Sequence, residues 1–278
     1  MSGNMNFPEK VVVLRTGGLG DFVLSVPLLI SLIERGCQVT IATRRSFYDI
    51  LGDFQEKIPF FDADEILIPD DRNTPEEIFE GATVLSFWRD RDSLLKDRLG
   101  VLGILDLVEF ESRPETPPHL TQRIFQRTGI QWEEGFLSRS WLGLEGLSGK
   151  CLWVHPGSGS PAKNAPCVWF LERIERWLAK GEGDSVIVSI GEADLEVEQS
   201  FRENGGALPL KFIHPKTFRE LRDGLVVEAA LFVGNDSGPS HLAAALGIPS
   251  EIVFTTTNPE IWRPVGEKVT IVRASELD

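Results

Sequence analysis

The chain has 278 residues, 42% of them hydrophobic and 25% charged, which is enough apolar material for two domains with separate cores. Its formal charge of −14, from 28 basic and 42 acidic residues, leaves neither half with the basic footprint that nonspecific nucleic-acid binding requires. The longest apolar run, FVLSVPLLISLI, is too short for a membrane-spanning helix and the N-terminus shows no export pattern, so a cytoplasmic protein is expected; Cys37, Cys151 and Cys167 are too scattered for a disulfide framework or a zinc knuckle and read as reduced packing residues.

From the N-terminus, KVVVLR reads as a strand and DFVLSVPLLISLIERG as one apolar helix of about four turns ending at Gly36. The junction between them, RTGGLGD, carries three glycines and Asp21. Aspartate is a preferred N-cap, so these residues alone favour capping by Asp21, with proton abstraction as the alternative. The spacing GGLG is not the dinucleotide fingerprint GxGxxG, and the next strand, QVTIAT, ends at Arg44 and Arg45 rather than at an acid for a ribose. Two arginines there suit a 2′-phosphate, which keeps an NADP-binding oxidoreductase as an alternative. Asp62-Ala63-Asp64 before the expected strand EILIP reads as a solvated turn rather than a metal site. ATVLSF is the next strand, SRPETPPH a proline-rich loop, and HLTQRIFQRTGI a helix. Residues 129–149 lose periodicity and gain glycine, which places a boundary between domains 1–140 and 141–278.

Alternation then restarts with strand CLWVHPG, helix APCVWFLERIERWLAKG, strand SVIVSIG and helix ADLEVEQSFRENG. A helix within TFRELRDGLVVEAA, strand LFVGN, helix SHLAAALG and strand SEIVF complete it. The pattern predicts α/β architecture with parallel sheets, whose ligands lie at the carboxyl ends of the strands. In GNDSGPSHLAAALG the helix start favours a phosphate or diphosphate; Ser237 and Ser240 offer hydroxyls, Gly238 allows close approach, and His241 lies one turn in. The competing interpretation is a helix capped by Asp236 or Ser237 with no ligand. HPGSGSPAKNAP lacks the Walker spacing, which argues against a P-loop kinase or ATPase, but it ends a strand of the same sheet, so Lys163 and the Gly238 helix can address one diphosphate. The four histidines are dispersed and form no transition-metal cluster, and the seven tryptophans read as core residues.

VVVLRTGGLGDFVLSVPLLISL, HPGSGSPAK, LFVGNDSGPSHLAAALGIP and NPEIWRPVG, in that order, resemble the heptosyltransferase family, the ADP-heptose:lipopolysaccharide glycosyltransferases and their relatives. The resemblance implies a GT-B fold: two Rossmann-like domains with parallel sheets facing across a cleft, acceptor on the N-terminal domain and nucleotide-sugar donor on the C-terminal one. It implies inverting, metal-independent transfer of a heptose from ADP-heptose to a lipopolysaccharide-core-type acceptor, with no cofactor beyond the donor. Asp21 then matches the general base and Lys163 the lysine near the donor phosphates, with Ser158 and Gly159 as its loop partners. Asp236, Ser237, Gly238 and His241 match the diphosphate site, Asp194 or Glu192 the ribose acid, and the loop at Lys216 and Thr217 the adenine site. Gly18, Gly20, Arg44 and Arg45 fall on the acceptor side. A lipid-linked or oligosaccharide acceptor would bring the protein to the cytoplasmic face of the inner membrane as a peripheral contact. The chain departs from the family where KNAPCVW lacks a tryptophan soon after the lysine, and where Thr255 and Thr256 replace a glycine and a proline. Those departures motivate an alternative, a catalytically degenerate nucleotide-sugar-binding or scaffold protein of the same fold.

Overall fold

The computed structural model describes residues 8–66, 76–183 and 185–277. Contacts divide the chain into two compact units. The first holds the chain to Gly17, then Ser25–Thr116 and Thr121–Trp132; the second holds Gly18–Leu24, Pro117–Leu120 and the chain from Glu133 onward. Among the described residues no helix is long and apolar enough to cross a membrane.

In the first unit, strands β1 (Lys10–Leu14), β2 (Gln38–Thr43), β3 (Phe60–Asp62), β4 (Thr83–Ser86) and β5 (Asp106–Glu109) form a parallel sheet in the order β3-β2-β1-β4-β5. Central β1 is apolar from Val11 to Leu14 and fully buried there, as a strand covered on both faces must be. The chain then forms α1 (Leu19–Val23), which belongs to the second unit, and α2 (Val26–Glu34). Short helices α3 (Arg45–Tyr48), α4 (Glu76–Phe79) and α5 (Leu94–Val101) follow, then α6 (Leu120–Thr128). Phe79, Leu95 and Leu99 pack with Val12, Leu14 and Val84 in this unit's core.

The second unit carries β6 (Cys151–His155), β7 (Val186–Ser189), β8 (Leu210–Ile213), β9 (Ala229–Asn235), β10 (Ser250–Phe254) and β11 (Val269–Arg273), parallel throughout in the order β11-β10-β9-β6-β7-β8. Its helices are α7 (Cys167–Lys180), α8 (Leu195–Asn204), α9 (Phe218–Glu228), α10 (Gly238–Ala245) and α11 (Pro259–Trp262). Helix α7 ends at Gly181, whose φ of 68° is left-handed, a conformation that glycine adopts without strain. Phe170, Ile174 and Trp177 recur at helical spacing on its buried face and pack against Val154, Val188 and Phe201. Strand order reverses between β6 and β9, and in open α/β sheets the crevice at such a switch point is where ligands bind.

The local structure corrects parts of the sequence analysis. The apolar stretch after the glycine turn forms two helices instead of one, because Pro27 in the first turn of α2 has no N–H to continue the α1 ladder. The third strand is Phe60–Asp62, ahead of the expected EILIP; Ala63–Glu65 form a 3₁₀ turn, and residues 67–69 lie outside the described residues. Asp62 Oδ1 accepts from the Asp64 backbone N–H at 3.1 Å, so the acidic triplet caps its own turn. Edge strands β5, β8 and β11 were not anticipated, since half-exposed edge positions carry no continuous apolar run.

Phe170 is fully buried, with ring centroids 5.1 Å from Trp169 and 6.0 Å from Phe201. Phe170→Ala is expected to lower unfolding free energy by about 3–5 kcal/mol, read as an earlier urea midpoint in far-ultraviolet circular dichroism.

Candidate active site

The loops at the carboxyl ends of β6, β9 and β10 are tied to one another by side chains. Asn235, the last residue of β9, is fully buried; its Oδ1 accepts from Ala165 N at 2.9 Å and its Nδ2 donates to Pro156 O at 2.6 Å, which fixes both ends of the loop after β6. That loop brings Lys163, on the 3₁₀ turn Pro161–Lys163, to Asp236: Nζ lies 2.8 Å from Oδ2. Thr257, after β10, donates to the same oxygen at 2.6 Å, and His241 Nε2 stands 3.6 Å from Oδ1. Thr255 Oγ1 donates to Ala162 O at 3.1 Å and adds a further tie. Burial alone would push the Asp236 pKa up, but contact with His241, Lys163 and Thr257 outweighs it and holds the carboxyl well below the usual range. Asp236 is therefore an anion at neutral pH. Its side chain is 6% exposed, that of Lys163 32%, so the pair is open only on the lysine side.

Helix α10 starts beside this pair. Ser237 is its N-cap residue by backbone conformation but makes no side-chain cap bond, so neither capping assignment, by Ser237 or by Asp236, holds. The amides of Ser240 and His241 donate to Ser237 O, and Pro239 has none, which leaves Ser237 and Gly238 as the donors of the helix start. The fully buried Ser240 hydroxyl donates to Asn235 O at 2.5 Å, so it secures the turn instead of facing a ligand as predicted.

Asp21 is not the N-cap of α1. Gly18 holds that position, and Asp21, at the third helical residue, accepts from Gly18 N at 3.1 Å through Oδ2. The helix begins earlier than predicted because Gly18 in an extended conformation lets Leu19 and Gly20 start the first turn. Through Gly18–Leu24, Asp21 belongs to the same unit as Lys163, Asp236 and His241.

Asp194 is buried, and a Cβ built on Gly157 would overlap its carboxylate. Its charge acts on the buried ring of His155, whose Nδ1 is 2.9 Å from Ser189 Oγ; that hydroxyl also accepts from Trp153 Nε1 at 2.9 Å. Glu192, in the same loop, is exposed. Lys216 and Thr217 are exposed beyond β8, where Thr217 accepts from Glu220 N at 3.1 Å and Lys216 N donates to Glu220 Oε2 at 2.8 Å. Ser158 Oγ is within 2.6 Å of Asn164 Oδ1, and Gly159 has a φ of 68°. Arg44 and Arg45 lie in the first unit, exposed at the end of β2, with Arg45 3.3 Å from Asp49. Among the described residues no three His, Cys, Asp or Glu groups converge to hold a metal, and the three cysteines are free thiols. Sequence analysis missed Asn235, Thr257 and His155 as site-building residues, because their partners are distant in the chain.

Residues 145–278, just under half of the chain, match the family model of glycosyltransferase family 9 (heptosyltransferase), and the motifs HPGSGSPAK, LFVGNDSGPSHLAAALGIP and NPEIWRPVG fall within that match. A Haemophilus influenzae protein named "Putative glycosyltransferase" is 26% identical over 155 residues, 54% of this chain; the match spans 43% of that protein, less than half its length. ADP-heptose LPS heptosyltransferase II of E. coli superposes with a TM-score of 0.69 at 18% identity, covering 96% of this chain and 93% of that one. E. coli heptosyltransferase WaaC, solved with ADP, gives 0.69 at 16% identity, covering 97% and 94%. At these identities the likeness is one of fold, and the fold is that of the GT-B heptosyltransferases: two parallel-sheet α/β domains.

Burial holds the pKa of His155 and of His119 down to about 4, below the ordinary 6.5. His119 Nε2 lies 2.9 Å from Arg263 O. Between pH 6.5 and 4 the unfolded chain binds these protons and the folded one does not, so stability falls with pH in that window. Urea denaturation at pH 7 and pH 5 is expected to show a smaller loss for His119→Gln than for wild type, by on the order of 1–2 kcal/mol.

Proposed function

We propose that this chain, which matches glycosyltransferase family 9 over residues 145–278, moves a heptose from ADP-heptose to a hydroxyl of a lipopolysaccharide-core-type acceptor, with inversion and without a metal. The observation that carries the proposal is the Lys163–Asp236 pair at the start of α10, placed at the strand-order switch point and open only on the lysine side. A diphosphate entering there exchanges one anionic partner of Lys163 for another and meets the α10 amides. A structural relative solved with ADP supports the choice of nucleotide.

In the reaction Asp21 removes the acceptor hydroxyl proton while that oxygen bonds to the anomeric carbon. The bond from that carbon to the diphosphate breaks, and its electron pair leaves with ADP. Lys163 and the Ser237 and Gly238 amides stabilise the departing charge. Ser158 and Gly159 shape the loop over the phosphates, Lys216 and Thr217 border the adenine, and Glu192 suits the ribose better than Asp194, whose carboxylate is turned into the protein. Gly18, Gly20, Arg44 and Arg45 serve the acceptor. Thr255 supports an intact site over a degenerate one, since its hydroxyl adds a tie to the loop that carries Lys163. An acceptor anchored in lipid places the reaction in the cytoplasm at the inner membrane.

Asp21→Asn is expected to slow transfer by about 10²–10⁴-fold with ADP affinity retained, and chelator is expected to leave the wild-type rate unchanged. Both are read by product formation from ADP-heptose and truncated core acceptors. Undiminished transfer by the variant would remove Asp21 from the base role, and absence of transfer with ADP bound would favour the scaffold alternative.

A further inference from the structure

We infer that α1 is seated on α10 by two glycine contacts and the His241 ring, so that occupancy of the Lys163–Asp236 site fixes the helix that carries Asp21; the part played by the occupant rests on the donor-site reading above. The chain leaves the first unit at Gly17, forms α1 within the second unit, and returns at Ser25. A Cβ on Gly20 would stand 2.9 Å from His241 Cδ2, and one on Gly238 would stand 2.7 Å from Leu19 Cβ and 3.2 Å from Gly20 N. The two helices meet backbone to side chain at both points, and only glycine permits it. Leu19 is 5% exposed and His241 4%, so the seat is dry.

One edge of the His241 ring meets both α1 and the buried carboxylate. Its Cδ2 and Nε2 edge faces Gly20, and Nε2 lies 3.6 Å from Asp236 Oδ1. Lys163 is held by the other oxygen of that carboxylate. Drawing Lys163 towards a diphosphate changes what Asp236 holds, and His241 is the side chain through which that change reaches Gly20. A helix of five residues has too little internal bonding to persist unaided, so its order depends on this seat. Gly20, Gly238 and His241 are thus positioning residues for Asp21.

Hydrogen exchange resolved at single amides tests both parts. Phe22 and Leu24 donate to Gly18 O and Gly20 O within α1. In the free protein, these amides are expected to exchange about tenfold faster or more in Gly20→Ala and in Leu19→Ala than in wild type, while Val12 in β1 and Val233 in β9 stay unchanged. Leu19→Ala opens space without introducing a clash, and the β9 amide reports that the unit remains folded. Saturating ADP is expected to slow Phe22 and Leu24 about tenfold in wild type, and to lose that effect in Leu19→Ala while calorimetry shows ADP still bound. Unchanged α1 exchange in both variants overturns the seating. ADP binding by wild type without protection of α1 overturns the coupling. Failure of wild type to bind ADP overturns the donor reading and the coupling together, and faster α1 exchange in the free variants would then still support the seating.

Discussion

A carboxylate taken out of water must be matched by charge and hydrogen bonds, and Asp236 imposes that condition on every loop around it. Lys163 from the loop after β6, Thr257 from the loop after β10 and His241 from α10 all converge on it. Removing one partner of such a pair leaves a buried charge uncompensated, at a cost of about 3–5 kcal/mol. Three separate stretches of chain are therefore held in register by one side chain. The arrangement is also the chemical opening of the site, since Lys163 retains solvent access and can turn to a second anion.

Close approach of backbone to side chain shapes the remainder. Gly157 leaves room for the Asp194 carboxylate, and Gly20 leaves room for the His241 ring. Beneath the first of these, Trp153, Ser189 and His155 form a buried hydrogen-bonded row that stiffens the ends of β6 and β7. Asn235 performs a similar service for β9 by holding the loop after β6 at both of its ends. Flexible glycine loops are thus anchored on rigid strand termini, as a site that must hold a ligand in one pose requires.

What could be read in advance follows from the range of each interaction. β2 and β10 were located residue for residue because they are apolar runs closed by turn signals. β5 and β8 escaped notice because edge strands have mixed exposure. Lys163 and the Gly238 helix were assigned to one ligand because both loops end strands of one sheet, a relation that alternation of strand and helix exposes; the direct pairing of Lys163 with Asp236 was not foreseen. Thr257 and Asn235 were not found: their partners lie 21 and 70 residues away, and no local pattern records such a bond. Asp21 was placed at the wrong helical position because aspartate favours both the N-cap and the third residue, and the conformation of Gly18 decides between them.

The most direct test of the Asp236 and Lys163 account is a crystal structure of the protein grown with ADP. The account requires the diphosphate within hydrogen-bond distance of Lys163 Nζ and of the Ser237 and Gly238 amides, with Asp236 still held by Thr257. ADP bound elsewhere, with the Lys163–Asp236 pair undisturbed, would contradict it.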